Sequence, residues 1–136
     1  MESTPAESCR VLVVEDERHI ARLLEFVLAR AGYSVCTAYD GAAALAALDS
    51  FQPHAVVLDL VLPDLSGSEV LKAIRQSPAC ANAGVLVLSA HTFELDAPSL
   101  DPGGRTMYAS KPIAPTRLLE KLREFGALVP AVHASD

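Results

Sequence analysis

Four short apolar runs in this chain each lead to a polar residue that could do chemistry. Arg10 to Glu15 reads RVLVVE with Asp16 next, His54 to Leu60 reads HAVVLDL with Asp59 near its end, VLVLSA from Val85 reaches Ser89, and Lys111 follows Thr106 to Ser110. Runs of this kind form strands covered on both faces, and in open α/β sheets ligands bind at the carboxyl ends of the strands, where the strand order reverses. Three carboxylates meeting there would be poor as structure. At an effective dielectric near 20, two like charges about 4 Å apart repel by roughly 4 kcal/mol, so a cation is needed to join them. Carboxylate oxygens with room for water suit a hard divalent ion, Mg²⁺ before Ca²⁺. Ser89 adds a hydroxyl donor, and Lys111 adds a cation able to pair with Asp59 or hold an anionic oxygen. Mg²⁺, Lys and Ser around one carboxylate form a cradle for phosphoryl oxygens, and a carboxylate so placed can itself attack phosphorus. Asp59 is therefore the expected nucleophile.

The elements that must position these residues alternate along the chain. After the first strand, Ile20, Leu23, Leu24, Val27 and Leu28 repeat at the spacing of one apolar helix face, with Gly32 placed as a C-terminal cap. SVCTAY from Ser34 predicts a second strand. An alanine-rich helix from Gly41 follows, with Leu45, Leu48 and Phe51 as its buried edge and Pro53 closing it. Beyond the third strand and the turn LPDLSG, a helix is expected from about Gly67 with Val70, Leu71 and Ile74 inward. Ser66 and Glu69 stand at capping-box spacing before it. The run from Val85 is the most continuous apolar one and predicts an interior strand, and Thr106–Ser110 a short fifth. The last helix starts near Pro115 with Leu118, Leu119, Leu122 and Phe125 inward. Alternating β and α units imply a flavodoxin-like, doubly wound five-stranded parallel sheet of order 2-1-3-4-5. The rhythm breaks at His91 to Arg105, where Pro98, Pro102 and Gly103-Gly104 oppose helix. At most a turn or two is expected there, an atypical or degraded fourth helix.

Composition bounds what the chain does. At 136 residues, one domain is expected: residues 10–126, with 1–9 a flexible leader and 127–136 a short tail. Eleven Lys and Arg against seventeen Asp and Glu give a net charge of −6, and the basic residues are scattered, which argues against direct nucleic-acid binding. No run suits a membrane span or a signal peptide, so a cytoplasmic protein is expected. Cys9, Cys36 and Cys80 match neither a disulfide framework nor a paired metal site and read as idle thiols. The turn EDERH after the first strand would repel the phosphates of a nucleotide or flavin. His19, His54 and His133 lack ligand spacing.

From about Arg10 to Phe125 the chain resembles the receiver domains of two-component response regulators, the fold shared with chemotaxis proteins. The resemblance rests on Glu15-Asp16 after a Val-Val strand, Asp59 followed by Leu60-Val61-Leu62-Pro63-Asp64 and then Gly67, Ser89-Ala90, and Lys111-Pro112. It implies that Asp59 accepts a phosphoryl group from a histidine kinase or a histidine phosphotransfer protein. It further implies a Mg²⁺ site of Glu15, Asp16, Asp59 and Val61, in which Asp16 binds the ion directly, Glu15 binds it through water and the Val61 carbonyl completes the protein ligands. Lys111 would bridge to a phosphoryl oxygen, with the Lys111-Pro112 peptide cis. Ser89 and Tyr108 take the places of the family's switch hydroxyl and rotating aromatic, whose coupled rearrangement the phosphoryl group biases. His91, two residues beyond Ser89, stands where a side chain can influence water approaching the acyl phosphate.

By the same resemblance the protein is a phospho-acceptor with Mg²⁺-dependent self-phosphorylation and self-dephosphorylation, not an enzyme acting on other substrates. The eleven residues after Phe125 are too few for an output domain, so a single-domain regulator acting through an unidentified partner protein is expected. The irregular fourth helix puts in doubt the family's usual dimer face on the fourth helix, fifth strand and last helix. A monomer, or a dimer using another face, is expected. A phosphorylation-independent pseudo-receiver is the alternative, opposed by the intact acidic, Ser and Lys positions. Phosphotransfer hydrolases with an Asp nucleophile would want a second Asp where Val61 stands.

Overall fold

The computed structural model describes residues 9–90 and 105–125. Strands β1 (Arg10–Val14), β2 (Ser34–Ala38), β3 (Ala55–Asp59), β4 (Gly84–Ser89) and β5 (Thr106–Ser110) pair in parallel in the order β2-β1-β3-β4-β5. Helices α1 (Arg18–Arg30), α2 (Gly41–Ser50) and α3 (Gly67–Gln76) connect successive strands from β1 to β4, and α4 (Pro115–Arg123) follows β5. The flavodoxin-like order expected from the alternating pattern is the order found. Residues 91–104, with the irregular segment and His91, lie outside the described residues, as do the leader up to residue 8 and the chain from residue 126.

Side chains of successive strand residues point to opposite faces, and this chain is apolar at both sets of positions in its three central strands. Leu12, Val14, Val56, Leu58, Val85 and Val87 pack under α2 and α3 against Leu48, Val70, Leu71 and Ile74. Val11, Val13, Val57, Leu86 and Leu88 pack on the other face against Leu24 and Leu28 of α1, Leu118 and Leu122 of α4, and Phe125. Every residue of β3 and β4 is buried, as continuous apolar runs in sheet-interior strands require.

Local signals set the helix ends. Ser66 accepts from the Glu69 amide while the Glu69 carboxylate accepts from the Ser66 amide, so the capping box is closed on both sides. Pro115 opens α4, and Gly32, after α1, takes φ 103°, a left-handed conformation that suits glycine. Two helix faces differ from the pattern-based expectation. On α1 the buried residues are Ala21, Leu24 and Leu28, while Leu23 is 57% exposed and Phe26 58%. On α2, Leu45 is 37% exposed and the covered edge is Ala44, Ala47 and Leu48. A helix on a sheet buries one stripe, and neighbours in sequence lie about 100° apart around the axis. Leu24 and Leu48 occupy the covered stripes, which leaves Leu23 and Leu45 beyond their edges.

Candidate functional site

β1 and β3 are adjacent because the chain leaves β2 at one edge and crosses over β1 to begin β3 on its far side. Their carboxyl ends form the switch point of the sheet, and both end in acid. Glu15 and Asp59 are buried there and Asp16 is exposed beside them. One carboxylate oxygen from each lies within 4.8 Å of the others. The Lys111 ammonium arrives from the end of β5, donating to Glu15 Oε1 at 3.1 Å and to Asp59 Oδ2 at 3.2 Å. The Lys111-Pro112 peptide is cis. The remaining oxygens have backbone partners: Glu15 Oε2 accepts from the Glu17 amide and Asp59 Oδ1 from the Val61 amide, each at 3.1 Å.

These contacts set the electrostatics. Burial pushes the Glu15 carboxyl above its ordinary pKa, and the Asp59 charge adds to the rise, against the lowering effects of the Glu17 amide and Lys111. Burial pulls Lys111 the other way, but its hydrogen bond to Glu15 and the charges of Asp59 and Glu15 outweigh that pull and raise its pKa. The lysine is therefore held charged. One ammonium among three carboxylates leaves this group of four side chains with an excess of negative charge when all are ionised. The donors are all carboxylate oxygen, the chemistry that suits a hard divalent cation, and the exposed Asp16 leaves the cluster open on one side.

Ser89, Tyr108 and Val61 are the other expected site residues among those described. Ser89 is buried at the end of β4, one residue beyond the Leu88 that pairs with Asp59, and its carbonyl accepts from the Lys111 amide at 2.8 Å. Tyr108, on β5 opposite Val87, is half-buried and packs against the core on the α2–α3 side. The Val61 side chain is exposed in the loop after β3. Gly67, the first residue of α3, packs directly on the start of that loop: a Cβ there would lie 2.6 Å from Leu60 Cα and 2.8 Å from the Asp59 carbonyl oxygen.

Sequence reasoning gave no role to several residues that tertiary contact reveals. Asp64 had been only a motif member, yet it hydrogen-bonds the first amides of α2. The Arg18 guanidinium stacks 4.0 Å from the centre of the Tyr39 ring, beyond the end of β2. His54, set aside for lack of ligand spacing, accepts a hydrogen bond at Nδ1 from the Arg10 amide at 2.9 Å. Short-range spacing carries no signal for any of these, since each pairs residues distant in sequence.

The response regulator receiver domain matches residues 11–123 of the chain. The transcriptional regulatory protein KdpE of Mycobacterium tuberculosis is 42% identical over 113 residues, 83% of this chain and 49% of that protein. The chain thus spans about half the length of the curated relatives it matches. Among solved structures, Vibrio cholerae chemotaxis protein CheY4 superposes with a TM-score of 0.77 at 27% identity, covering 87% of this chain and 98% of that one. The response regulator TrrA of Thermotoga maritima, in complex with Mg²⁺ and BeF, gives a TM-score of 0.75 at 31% identity over 86% of this chain and 98% of that one. The parallel sheet, the acidic switch point and these likenesses agree: the chain belongs to the receiver domain family of two-component response regulators.

Proposed function

We propose that this receiver is a cytoplasmic phosphorelay switch in which Asp59 accepts a phosphoryl group from the phosphohistidine of a kinase or phosphotransfer protein. The observation that carries the reading is the Lys111 ammonium, held charged 3.2 Å from Asp59 within a cluster of three carboxylates. Asp16 and Asp59, with the Val61 carbonyl, would hold Mg²⁺ directly and Glu15 would hold it through water. When bound, Mg²⁺ supplies Lewis-acid neutralisation of phosphoryl oxygens. Asp59 Oδ2, which faces Lys111, is the attacking oxygen in this reading, while Oδ1 accepts from the Val61 amide. A new O–P bond forms as the N–P bond of the phosphohistidine breaks, and the imidazole nitrogen leaves with the electron pair. Lys111 keeps its Glu15 contact and turns its second contact from Asp59 to a phosphoryl oxygen. Attack of water on the same phosphorus releases inorganic phosphate and restores Asp59.

Ser89 and Tyr108 are the switch pair in this reading. Two backbone features support the reading: Ser89 follows the strand residue paired with Asp59, and its carbonyl accepts from the Lys111 amide. Tyr108 is packed on the α2–α3 face of β5, where its reorientation would change the surface offered to a downstream protein.

The test is direct. Incubation with a small phosphodonor and Mg²⁺ should add one phosphoryl group by intact mass, and Asp59→Asn should abolish the addition. No adduct, together with no Mg²⁺-dependent binding of a beryllofluoride mimic, would replace this reading with a constitutive interaction module.

A further inference from the structure

One carboxylate outside the phosphoryl chemistry holds three backbone amides. Asp64 Oδ1 accepts from Gly41 at 2.7 Å and from Leu65 at 2.9 Å, while Oδ2 accepts from Ala42 at 3.0 Å. Gly41 and Ala42 open α2, so their amides are among those at a helix start that have no intrahelical partner, and a carboxylate there also meets the positive end of the helix dipole. These bonds hold the Asp64 carboxyl below its ordinary pKa, with the Gly41 amide contributing most. Helix α2 has an ordinary cap as well, because Asp40 accepts from Ala43 at 2.8 Å. The Asp64 contacts are therefore additional to the cap, and their other end is the loop that leaves Asp59.

That loop is closed on itself and attached to α2 at a second point. Val61 and Ser66 form a single antiparallel bridge, and the Gly67 amide donates to the Leu60 carbonyl at 2.8 Å. The Leu65 side chain lies against the start of α2 so closely that a Cβ on Gly41 would be 2.6 Å from Leu65 Cδ1. A shift of α2 against this loop would thus be passed through Asp64 and Leu65 to the bridge that contains Val61.

We propose that Asp64 is a positioning residue for the cation: by tying the loop to the N-terminus of α2, it fixes where the Val61 carbonyl points. The inference rests on the reading of Val61 as a ligand given under Proposed function. A backbone carbonyl has no side-chain torsion to adjust, so its place depends wholly on how its loop is held.

The experiment measures the Mg²⁺ dissociation constant of the full chain by titration calorimetry, alongside thermal melting, for the wild type, Asp64→Ala, Asp64→Asn, Asp40→Ala and Asp16→Asn. Asp64→Ala should weaken Mg²⁺ by roughly tenfold, the usual scale for losing an outer-shell support. Asp40→Ala removes a bond from the same helix end without touching the loop, so it should lower the melting temperature but leave Mg²⁺ affinity within about twofold. Asp64→Asn keeps one acceptor oxygen and should fall between Asp64→Ala and the wild type. Should Asp64→Ala not fold, amide exchange on the wild type gives the answer. Because coupling is reciprocal, Mg²⁺ should slow exchange at Gly41, Ala42 and Leu65 more than at Ala43. Wild-type affinity in folded Asp64→Ala, equal weakening in Asp64→Ala and Asp40→Ala, or no added protection at those three amides would overturn the proposal. A wild-type chain that binds no Mg²⁺, or binds it as well after Asp16→Asn, would instead overturn the cation site itself and this inference with it.

Discussion

The two ends of the sheet carry similar residue types in opposite states. At the amino ends of the strands, cations are absorbed by the fold. Arg10 Nε donates to the Gln52 carbonyl at 2.9 Å, and Arg75 donates to the carbonyls of Ala81, Ala83 and Arg105 and to Thr106 Oγ1, at 2.6–3.1 Å. Arg105 also donates to the Phe125 carbonyl. At the carboxyl ends, Glu15, Asp16 and Asp59 face one another with Lys111 between two of them, and negative charge remains in excess. Polar side chains that satisfy backbone groups stabilise a fold, whereas like charges held together destabilise it unless a ligand joins them. At one end of this sheet the cations are satisfied within the fold; at the other, like charges stand together in an arrangement that a cation would relieve.

That contrast can be broken by substitution. The largest effect is expected for Asp59→Asn, which should abolish phosphoryl uptake while leaving the metal-free melting temperature unchanged or higher, because it removes one of three like charges. A clear fall in melting temperature would show that Asp59 is structural. Next, Arg75→Ala should cost about 2–3 kcal/mol in urea denaturation, since a charged donor to several carbonyls is lost. Phosphoryl uptake per folded molecule should stay at the wild-type level, and its loss would deny that the two ends are separable. Lys111→Ala should cost about 1–2 kcal/mol without metal, less than a fully buried pair, and millimolar Mg²⁺ should recover part of that cost by joining the carboxylates. A deficit that Mg²⁺ leaves unchanged would contradict a cation site at the cluster.

The smallest effect concerns pH at the amino end. His54 has a pKa below its ordinary 6.5, because burial and the nearby Arg10 charge disfavour the imidazolium. Its Nδ1 accepts from the Arg10 amide, so the folded state keeps the imidazole neutral. The unfolded chain therefore takes up the proton first as pH falls. The His54 contribution is fully present above the unfolded pKa and is lost as pH drops through the folded one. Stability of the wild type should decline as pH falls below about 6.5 more steeply than that of His54→Gln in denaturant midpoints. Parallel profiles would remove His54 from the account.

Much of this was legible in the chain because parallel strands buried on both faces cannot avoid being apolar throughout. HAVVLDL and VLVLSA therefore announced β3 and β4, and the residues that close such runs announced the site. The capping box at Ser66 and Glu69 was equally readable, since its partners are three residues apart. Leu23 and Leu45 misled because periodicity shows that a helix has an apolar face but not how wide a stripe the sheet will cover. Asp64 was opaque for a different reason: its Gly41 and Ala42 partners lie in the preceding βα unit, and only the close approach of the loop to α2 brings them within 3 Å.

The sequence by itself determined the alternation of elements, the parallel sheet and the residue types at the strand ends, because local propensity and burial period act over a few positions. Only the tertiary structure decided which oxygen of Asp59 meets Lys111, that Glu15 shares the same ammonium, and that Asp64 joins the Asp59 loop to α2. Those outcomes depend on distances between residues 22 to 96 positions apart, set by how two helical layers close on one sheet.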